Sequence, residues 1–344
     1  MPEKVFDIKD FRSQSLPTES EIMLNWQGDI NQPVVSVLCH TYNQLSYIED
    51  TFRGFLIQKT DFPFEVIVHD DASTDGTSDI VREYTALYPH IFRSVIQTEN
   101  QYSQGKKPTV LSSAYAKGEY CSLCEGDDFW IEPTKLQRQY NALEQKTNVN
   151  LCFTPAYTAS GSQVTSKICE HFKEDTLVPF IDIVKGGSGF IPTASIFLRK
   201  SILANLPNWF SNAPVGDYYI QMLSGTGGAQ YLNFQTCVYR VQSKNSWSSK
   251  QNKIKRAAIE SFVYGHENAI TALKNGDQGE VGVSLDMVLS KYFLIGAYKA
   301  IHIKDIQLAR HFIKLSWKKK KFLNFRQVIL FSLNVCLFNF FLIK

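Results

Sequence analysis

At 344 residues with a formal net charge of +3, the chain has room for one large α/β domain with an appendage, or for two modest domains. Opposite charges nearly cancel, which argues against a nucleic-acid partner held by a general positive field. Seven scattered cysteines, several inside apolar runs, fit buried free thiols in a reducing, cytoplasmic setting better than a disulfide framework.

The first 32 residues are polar, carry acids from the start and predict no secretory leader; they read as an N-terminal extension. From Pro33 strand and helix patterns alternate. Val34–Cys39 is a short β-branched run and predicts a buried strand. Ile48, Phe52, Phe55 and Leu56 recur at helical spacing. Phe64–His69 predicts a second strand. Asp75 and Gly76 introduce a helix whose stripe is Ile80, Val81, Tyr84, Leu87 and Tyr88, stopped by Pro89. Phe92–Gln97 predicts a third strand, followed by a polar loop through Lys107. A helix over about Thr109–Lys117 leads to a fourth strand, Tyr120–Cys124.

Strands separated by single helices imply parallel pairing through right-handed crossovers. The fold class is therefore α/β, an open and mostly parallel sheet with helices on both faces. Beyond residue 150 the pattern is less regular. Ala194–Leu198 predicts a strand, Asp217–Leu223 a short helix, and Tyr231–Val241 two short strands. From about Lys250 the chain reads as helical, with breaks near Asn275 and near Lys304–Asp305.

Ligands of such sheets gather beyond the carboxyl ends of the strands. His40-Thr41-Tyr42-Asn43, Asp70-Asp71 and Glu125-Gly126-Asp127-Asp128 all follow predicted strands there. Clustered carboxylates repel one another unless a cation neutralises them. Mg²⁺ or Mn²⁺ prefers such oxygen donors and completes its shell with ligand phosphates. Gly126 is expected to let the backbone turn sharply, with Phe129 and Trp130 as core anchors. Asp71 suits a hydrogen bond to a base N–H or to ribose, whereas Asp75 and Thr77 read as turn and capping residues. The bland alternative for the acidic turn is a solvated cap on the helix after Pro133.

Val35-Ser-Val-Leu-Cys-His-Thr-Tyr-Asn43, Asp70-Asp-Ala-Ser-Thr-Asp-Gly-Thr77 and Glu125-Gly-Asp-Asp-Phe-Trp130 together resemble the opening motifs of family 2 glycosyltransferases with the GT-A fold. The likeness covers residues 33 to 145. The intervening 55–65 and 100–105 look like bacterial members that build surface polysaccharides. The resemblance implies a GT-A-like catalytic domain over 33–248, with a nucleotide-sugar half at 33–145 and an acceptor half at 146–248, followed by a helical region over 249–344. It implies that His40, Thr41, Tyr42 and Asp71 hold the nucleoside, and that Glu125 and Asp127 meet the donor. Asp127 and Asp128 are the implied metal ligands for Mn²⁺ or Mg²⁺. Glu125 stands where many relatives carry Asp, which extends the reach and makes Asp127 the expected direct ligand.

By the same resemblance Asp217, in Pro214-Val-Gly-Asp-Tyr-Tyr219, takes the place of the catalytic base, with a helix N-cap as its alternative role. Arg240 and Lys244 are expected on phosphate, and Gln242 stands where many relatives have a His metal ligand. The implied reaction is an inverting transfer from a nucleotide-sugar, a UDP-sugar, to a glycan or lipid-linked saccharide. A nucleotidyltransferase and a catalytically silent glycan-binding scaffold are the competing readings. The first normally needs a Gly-rich basic loop after strand one; Glu125 and Gln242 leave the second open.

Other features are read as structural. Cys121 and Cys124 lie in a predicted buried strand, His69 is a strand-end histidine, and Gly186–Gly189 is a loop without a phosphate-cradle frame. Lys318–Lys321 precedes the almost uncharged 328–343 run, shorter than the roughly 20 residues a spanning helix needs. Segment 318–343 fits either a helix on the inner, anionic face of the cytoplasmic membrane or a terminal helix packed on the protein itself.

Overall fold

The computed structural model describes residues 6–241, 255–275 and 279–341. Gln242 and Lys244, with the expectations attached to them, lie outside the described residues. The twelve strands among the described residues are β1 Val35–Thr41, β2 Phe64–Asp70, β3 Phe92–Ile96, β4 Tyr120–Glu125, β5 Phe129–Trp130, β6 Leu151–Phe153, β7 Ala156–Ser160, β8 Gln163–Ile168, β9 Thr176–Val178, β10 Phe197–Arg199, β11 Ala229–Tyr231 and β12 Cys237–Arg240.

Eight of them form one sheet in the order β3-β2-β1-β4-β10-β6-β11-β9. The four predicted strands occupy one side of it and pair in parallel. β10 then runs antiparallel to both β4 and β6, so the sheet as a whole is mixed. A second sheet, β5-β12-β7-β8, was not legible from periodicity. Its strands are short, and β12 pairs with β7 some 80 residues away, a pairing that leaves no local mark.

Two predicted elements differ in extent. The helix expected to Lys117 ends at Ser113. Ser112 and Ser113 there donate their hydroxyls to the carbonyls of Thr109 and Val110, bonds that compete with helix propagation. The strand expected from Ala194 begins only at Phe197. Thr193–Ser195 is instead a 3₁₀ turn, closed by Ser195, whose N–H and hydroxyl both donate to the Pro192 carbonyl.

The described residues divide into two compact units. The first holds both sheets, the helices between them and the N-terminal residues from 6 onward. These residues are part of that unit's core: Ile22 joins the main apolar cluster with Val35, Phe52, Phe55 and Trp130. Ile8 and Phe11 join a smaller cluster with Phe129, Ala159 and Val238. The second unit takes Ile181–Gly187, Pro207–Gly216 and the residues from 255 on. Its helices are Arg256–Lys274, Glu280–His302, Ile306–Lys319 and Phe325–Phe341. Asn275 ends the first of these in a left-handed conformation, and Asp305 caps the third by accepting from the Leu308 N–H. Glu280–His302 has the length and composition to cross a membrane, with 56% of that window buried inside the protein.

Packing beneath the acidic turn is close. An added Cβ at Gly54, on the helix Ile48–Leu56, would meet the backbone N and O of Trp130 at 2.6 Å. Backbone atoms cannot yield as a side chain can. Gly54→Ala should therefore cost about 1–3 kcal/mol of stability through overpacking, read as a lowered urea midpoint with an unchanged slope.

Candidate active site

β1 lies between β2 and β4, and the register aligns His40 with Glu125 and Thr41 with Asp70. The three polar clusters consequently leave one edge of the sheet side by side. The turn after β4 is held by the backbone. Gly126 N–H donates to the His40 carbonyl (2.8 Å) and Asp128 N–H to the Glu125 carbonyl (3.0 Å). From below, the Thr51 hydroxyl donates to the carbonyls of Asp128 (2.6 Å) and Gly126 (3.0 Å).

Gly126 is not among the residues at positive φ, so a sharp left-handed turn is not what it provides. A Cβ there would lie 2.5 Å from Gln44 Oε1 and 2.9 Å from both Ile48 Cδ1 and Thr41 Cβ. Glycine is required by close approach.

The acids of the turn sit differently. Glu125 is reached by solvent yet closely surrounded by protein. That enclosure, with the charges of Asp127 and Asp217, pushes its carboxyl up to about 8. Asp127 is buried, and its charge bears on both Glu125 and Asp128. Asp128 is 1% exposed. Its Oδ1 accepts from the Arg240 N–H (2.9 Å), while Oδ2 has no hydrogen-bond partner. Burial, then Asp127 and Glu125, raise its carboxyl well above the carboxylate range. Asp128 therefore ties the turn to β12, a geometry that differs from the expected open metal ligand.

Arg240 also differs from its expected place on phosphate. Its side chain is 2% exposed and lies under the turn, 4.4 Å from the Phe129 ring centroid. Nη1 donates to the Asp127 carbonyl (2.6 Å) and Nη2 to Asp50 Oδ2. Asp50 in turn accepts both donors of the Arg12 fork, Nε at 2.8 Å and Nη2 at 2.7 Å.

Asp217 stands in the first turn of the helix Gly216–Ser224, inside the helix and not at its cap. Oδ2 accepts from the Thr193 hydroxyl (2.8 Å) and Oδ1 from the Tyr218 N–H (2.7 Å). Burial raises its carboxyl, with Thr193, backbone amides and the charge of Lys107 acting the other way. The Lys107 ammonium is itself lowered by burial and held up by Asp217. Tyr239, on β12, is pushed up to about 12 by burial and by Asp128, Glu125, Asp127 and Asp217. These mutual influences bring the β4 turn, Asp217, Lys107 and Tyr239 into one electrostatic site.

On the β1 and β2 side, His40 Nε2 is 2.9 Å from the Ser112 hydroxyl. Burial and the neighbouring His69 lower the ring to about 3, so it is neutral. Thr41 is buried with Oγ1 unpartnered, and Tyr42 is half-buried. Both oxygens of the buried Asp71 receive backbone amides of the following loop, Gln101 N–H at 2.7 Å and Tyr102 N–H at 3.0 Å. Asp71 thus fixes the start of the segment that delivers Lys107. Asp75 accepts from the Thr77 N–H and from the Leu45 N–H, as a turn residue does.

Among the described residues no group of three or more His, Cys, Asp and Glu is arranged to hold a metal ion alone. The site suits a cation whose shell is completed by ligand phosphates and water, as Mg²⁺ commonly is. Its uncompensated carboxyls are the feature that fits. Sequence reasoning missed Arg12, Asp50, Lys107 and Thr193. None has a local motif, and the partners of Arg12 and Asp50 are 38 and 190 residues off. Cys121, Cys124, Phe129 and Trp130 are core residues, as read.

Residues 36–206 match the family model for glycosyl transferase family 2. An uncharacterised protein of Mycobacterium tuberculosis is 34% identical over 224 residues, 62% of this chain and 61% of that protein. The chain thus spans about three-fifths of the length of that relative. The putative teichuronic acid biosynthesis glycosyltransferase TuaG of Bacillus subtilis is 34% identical over 125 residues, 36% of this chain and 46% of TuaG. Staphylococcus aureus TarS, solved in complex with UDP-GlcNAc, shares the fold at a TM-score of 0.61 and 19% identity, over 82% of this chain and 81% of that one. Sheet order, acidic turn and family match agree: through residues 36–206 this chain belongs to glycosyl transferase family 2.

Proposed function

We propose that the chain transfers a sugar from a nucleotide-sugar donor, a UDP-sugar, to a hydroxyl of a glycan or lipid-linked saccharide during bacterial surface-polysaccharide synthesis. The observation that carries this reading is the electrostatic coupling of Glu125 to Asp127 and Asp217, with Lys107 acting on Asp217, beside the acidic turn that ends β4. Such a group of carboxyls is stable with a cation and a diphosphate and uncomfortable without them. UDP and the polysaccharide setting are supported by what TarS binds and by what TuaG is named for.

In this reading His40, Thr41, Tyr42 and the loop tied to Asp71 take the nucleoside. Asp127 and Glu125 hold Mn²⁺ or Mg²⁺ against the diphosphate, while Asp128 and Arg240 hold the turn. The cation supplies charge stabilisation to the departing diphosphate. Lys107 adds a second positive charge on that side. Asp217 takes the proton from the attacking acceptor hydroxyl. The new bond forms from that oxygen to the anomeric carbon as the bond to the diphosphate breaks on the opposite face, so the anomeric centre inverts. Thr193 keeps one Asp217 oxygen directed, and the raised Asp217 carboxyl makes a stronger base than an ordinary aspartate.

Phe322 (72% exposed), in the turn before the C-terminal helix, and Phe325 (78%) and Leu333 (52%), on its described part, are exposed apolar side chains that follow Lys318–Lys321. We assign this segment to an anionic membrane surface.

Release of nucleoside diphosphate from a panel of UDP- and GDP-sugars, with and without Mn²⁺, tests the central reading. Asp217→Asn should lower kcat by about 10²–10⁴ with donor KM little changed, and Asp127→Asn should raise donor KM and the Mn²⁺ requirement. A silent scaffold would release no diphosphate from any donor.

The Glu125 carboxyl gives a pH signature. Its folded pKa, about 8, lies above its ordinary value near 4.5, so the native state holds a proton that the unfolded state has lost between those limits. The protein should lose stability as pH rises from 4.5 to 8. Glu125→Gln should then raise the melting temperature at pH 8, modestly because the group is solvent-exposed, and leave it unchanged below pH 4.5. Removing residues 322–344 should release the protein from phosphatidylserine vesicles in a sedimentation assay; equal partitioning would remove the membrane assignment.

A further inference from the structure

Residues 6–16 precede the segment that matches the family model, yet they reach the acidic turn by two routes. The first is apolar. Phe11 packs on Phe129 with ring centroids 5.3 Å apart, and Phe6 on the same ring at 6.1 Å. Phe129 follows Asp128 directly, and Val238 of the same small cluster is two residues before Arg240.

The second route is a chain of charge. Arg12 grips both oxygens of Asp50, Asp50 receives Arg240, and Arg240 donates to the carbonyl of Asp127 and, through its N–H, to the carboxyl of Asp128. Exposure falls along it, from 43% at the Arg12 side chain to 6% at Asp50 and 2% at Arg240. Arg12 is itself held in place. Asp7 caps its helix by accepting from the Lys9 N–H (2.7 Å), and Arg53 Nη1 donates to the Gln14 carbonyl (2.6 Å).

The direction of Arg240 depends on this arrangement. A carboxylate facing one guanidinium takes both of its forks. Arg12 fills Oδ1 and shares Oδ2 with Arg240, so Asp50 offers Arg240 that one oxygen only and leaves Nη1 for the Asp127 carbonyl. Without Arg12, Asp50 is free to rotate and engage Arg240 twice, which would draw Nη1 off the turn.

We infer that Arg12 is a positioning residue for the sugar-transfer site, and that residues 6–16 are a structural component of that site supplied from outside the family domain. The inference rests on the function proposed above only for its kinetic arm. Arg12 is near the surface, so its loss should leave the fold intact with a small drop in melting temperature.

In the full-length protein Arg12→Ala should lower kcat/KM for the donor about tenfold, the scale of one charge-assisted hydrogen bond. The loss should appear chiefly in donor KM and in the half-saturating Mn²⁺ concentration. Arg12→Lys, which cannot make the double contact, should recover only part of it. Amide exchange of Gly126 and Asp128 should quicken about tenfold in Arg12→Ala while β1 and β2 keep their protection. Unchanged exchange in the turn, or a loss spread evenly over the whole unit, overturns the inference. If the wild-type chain transfers no sugar at all, the function is wrong, and the exchange measurement still decides whether Arg12 positions the turn.

Discussion

Four carboxyl groups crowd one edge of a parallel sheet, and the surrounding structure is organised by the need to hold them there. Left alone, Glu125, Asp127, Asp128 and Asp217 would spread apart or take up protons: burial raises the carboxyls of Glu125, Asp128 and Asp217, and neighbouring carboxylates raise Glu125 and Asp128 further. The fold answers with directional contacts. Thr51 pins two carbonyls of the turn, Arg240 lies beneath it, and Gly126 lets Gln44, Thr41 and Ile48 press against its backbone. Apolar burial could not do this, because it has no preferred direction.

Buried charge is expensive when unpaired and close to neutral when fully paired. Arg240 is paired through Asp50, and Arg12 takes the other Asp50 oxygen while sharing the one that Arg240 uses. The acidic edge is therefore supported by a positive charge buried beneath the turn. This separates two tasks easily confused in a sequence: cations that balance the site from behind, such as Arg240, and a cation that faces it, such as Lys107.

The parts of the fold legible in the sequence are those written locally. β1, β2, β3 and β4 announce themselves as short β-branched or aromatic runs, and the acids after them fall at strand ends because the strands are read correctly. The second sheet was not legible as a sheet: of its strands only β12 was anticipated, within Tyr231–Val241, and β5 and β12, two and four residues long, pair with each other across more than a hundred residues. Residue type misled at Arg240 and Asp128. An arginine near a phosphate site and an aspartate in an acidic motif suggest ligand contact, but only burial decides whether the charge faces ligand or protein. Gly126 was identified for the wrong reason: the sequence shows that a glycine is needed, not whether φ or a neighbour requires it. Asp217 was singled out through family resemblance alone, whereas Thr193, which donates to it, carries no pattern of its own.

How the two halves of the site keep their spacing follows from a polar seam in the core. Lys135 is fully buried, 3.9 Å over the Trp130 ring, and donates to Ser122 (2.9 Å) and Gln139 (2.8 Å). Gln139 donates to the Ser195 carbonyl, Ser122 to that of Ile196, and Trp130 Nε1 to that of Ala194. Three consecutive carbonyls of the segment that presents Thr193 are thus fixed from β4, β5 and the helix Lys135–Glu144. An ammonium with no carboxylate partner among these contacts, lowered to about 8 by burial, is a poor choice for stability alone. It donates to one hydroxyl and one amide oxygen, groups that an apolar side chain could not orient. The distance from the acidic turn to Asp217 is accordingly set by hydrogen-bond lengths through Trp130, Ala194 and Thr193, and a transfer reaction that must align an incoming hydroxyl with a departing diphosphate requires such a fixed distance.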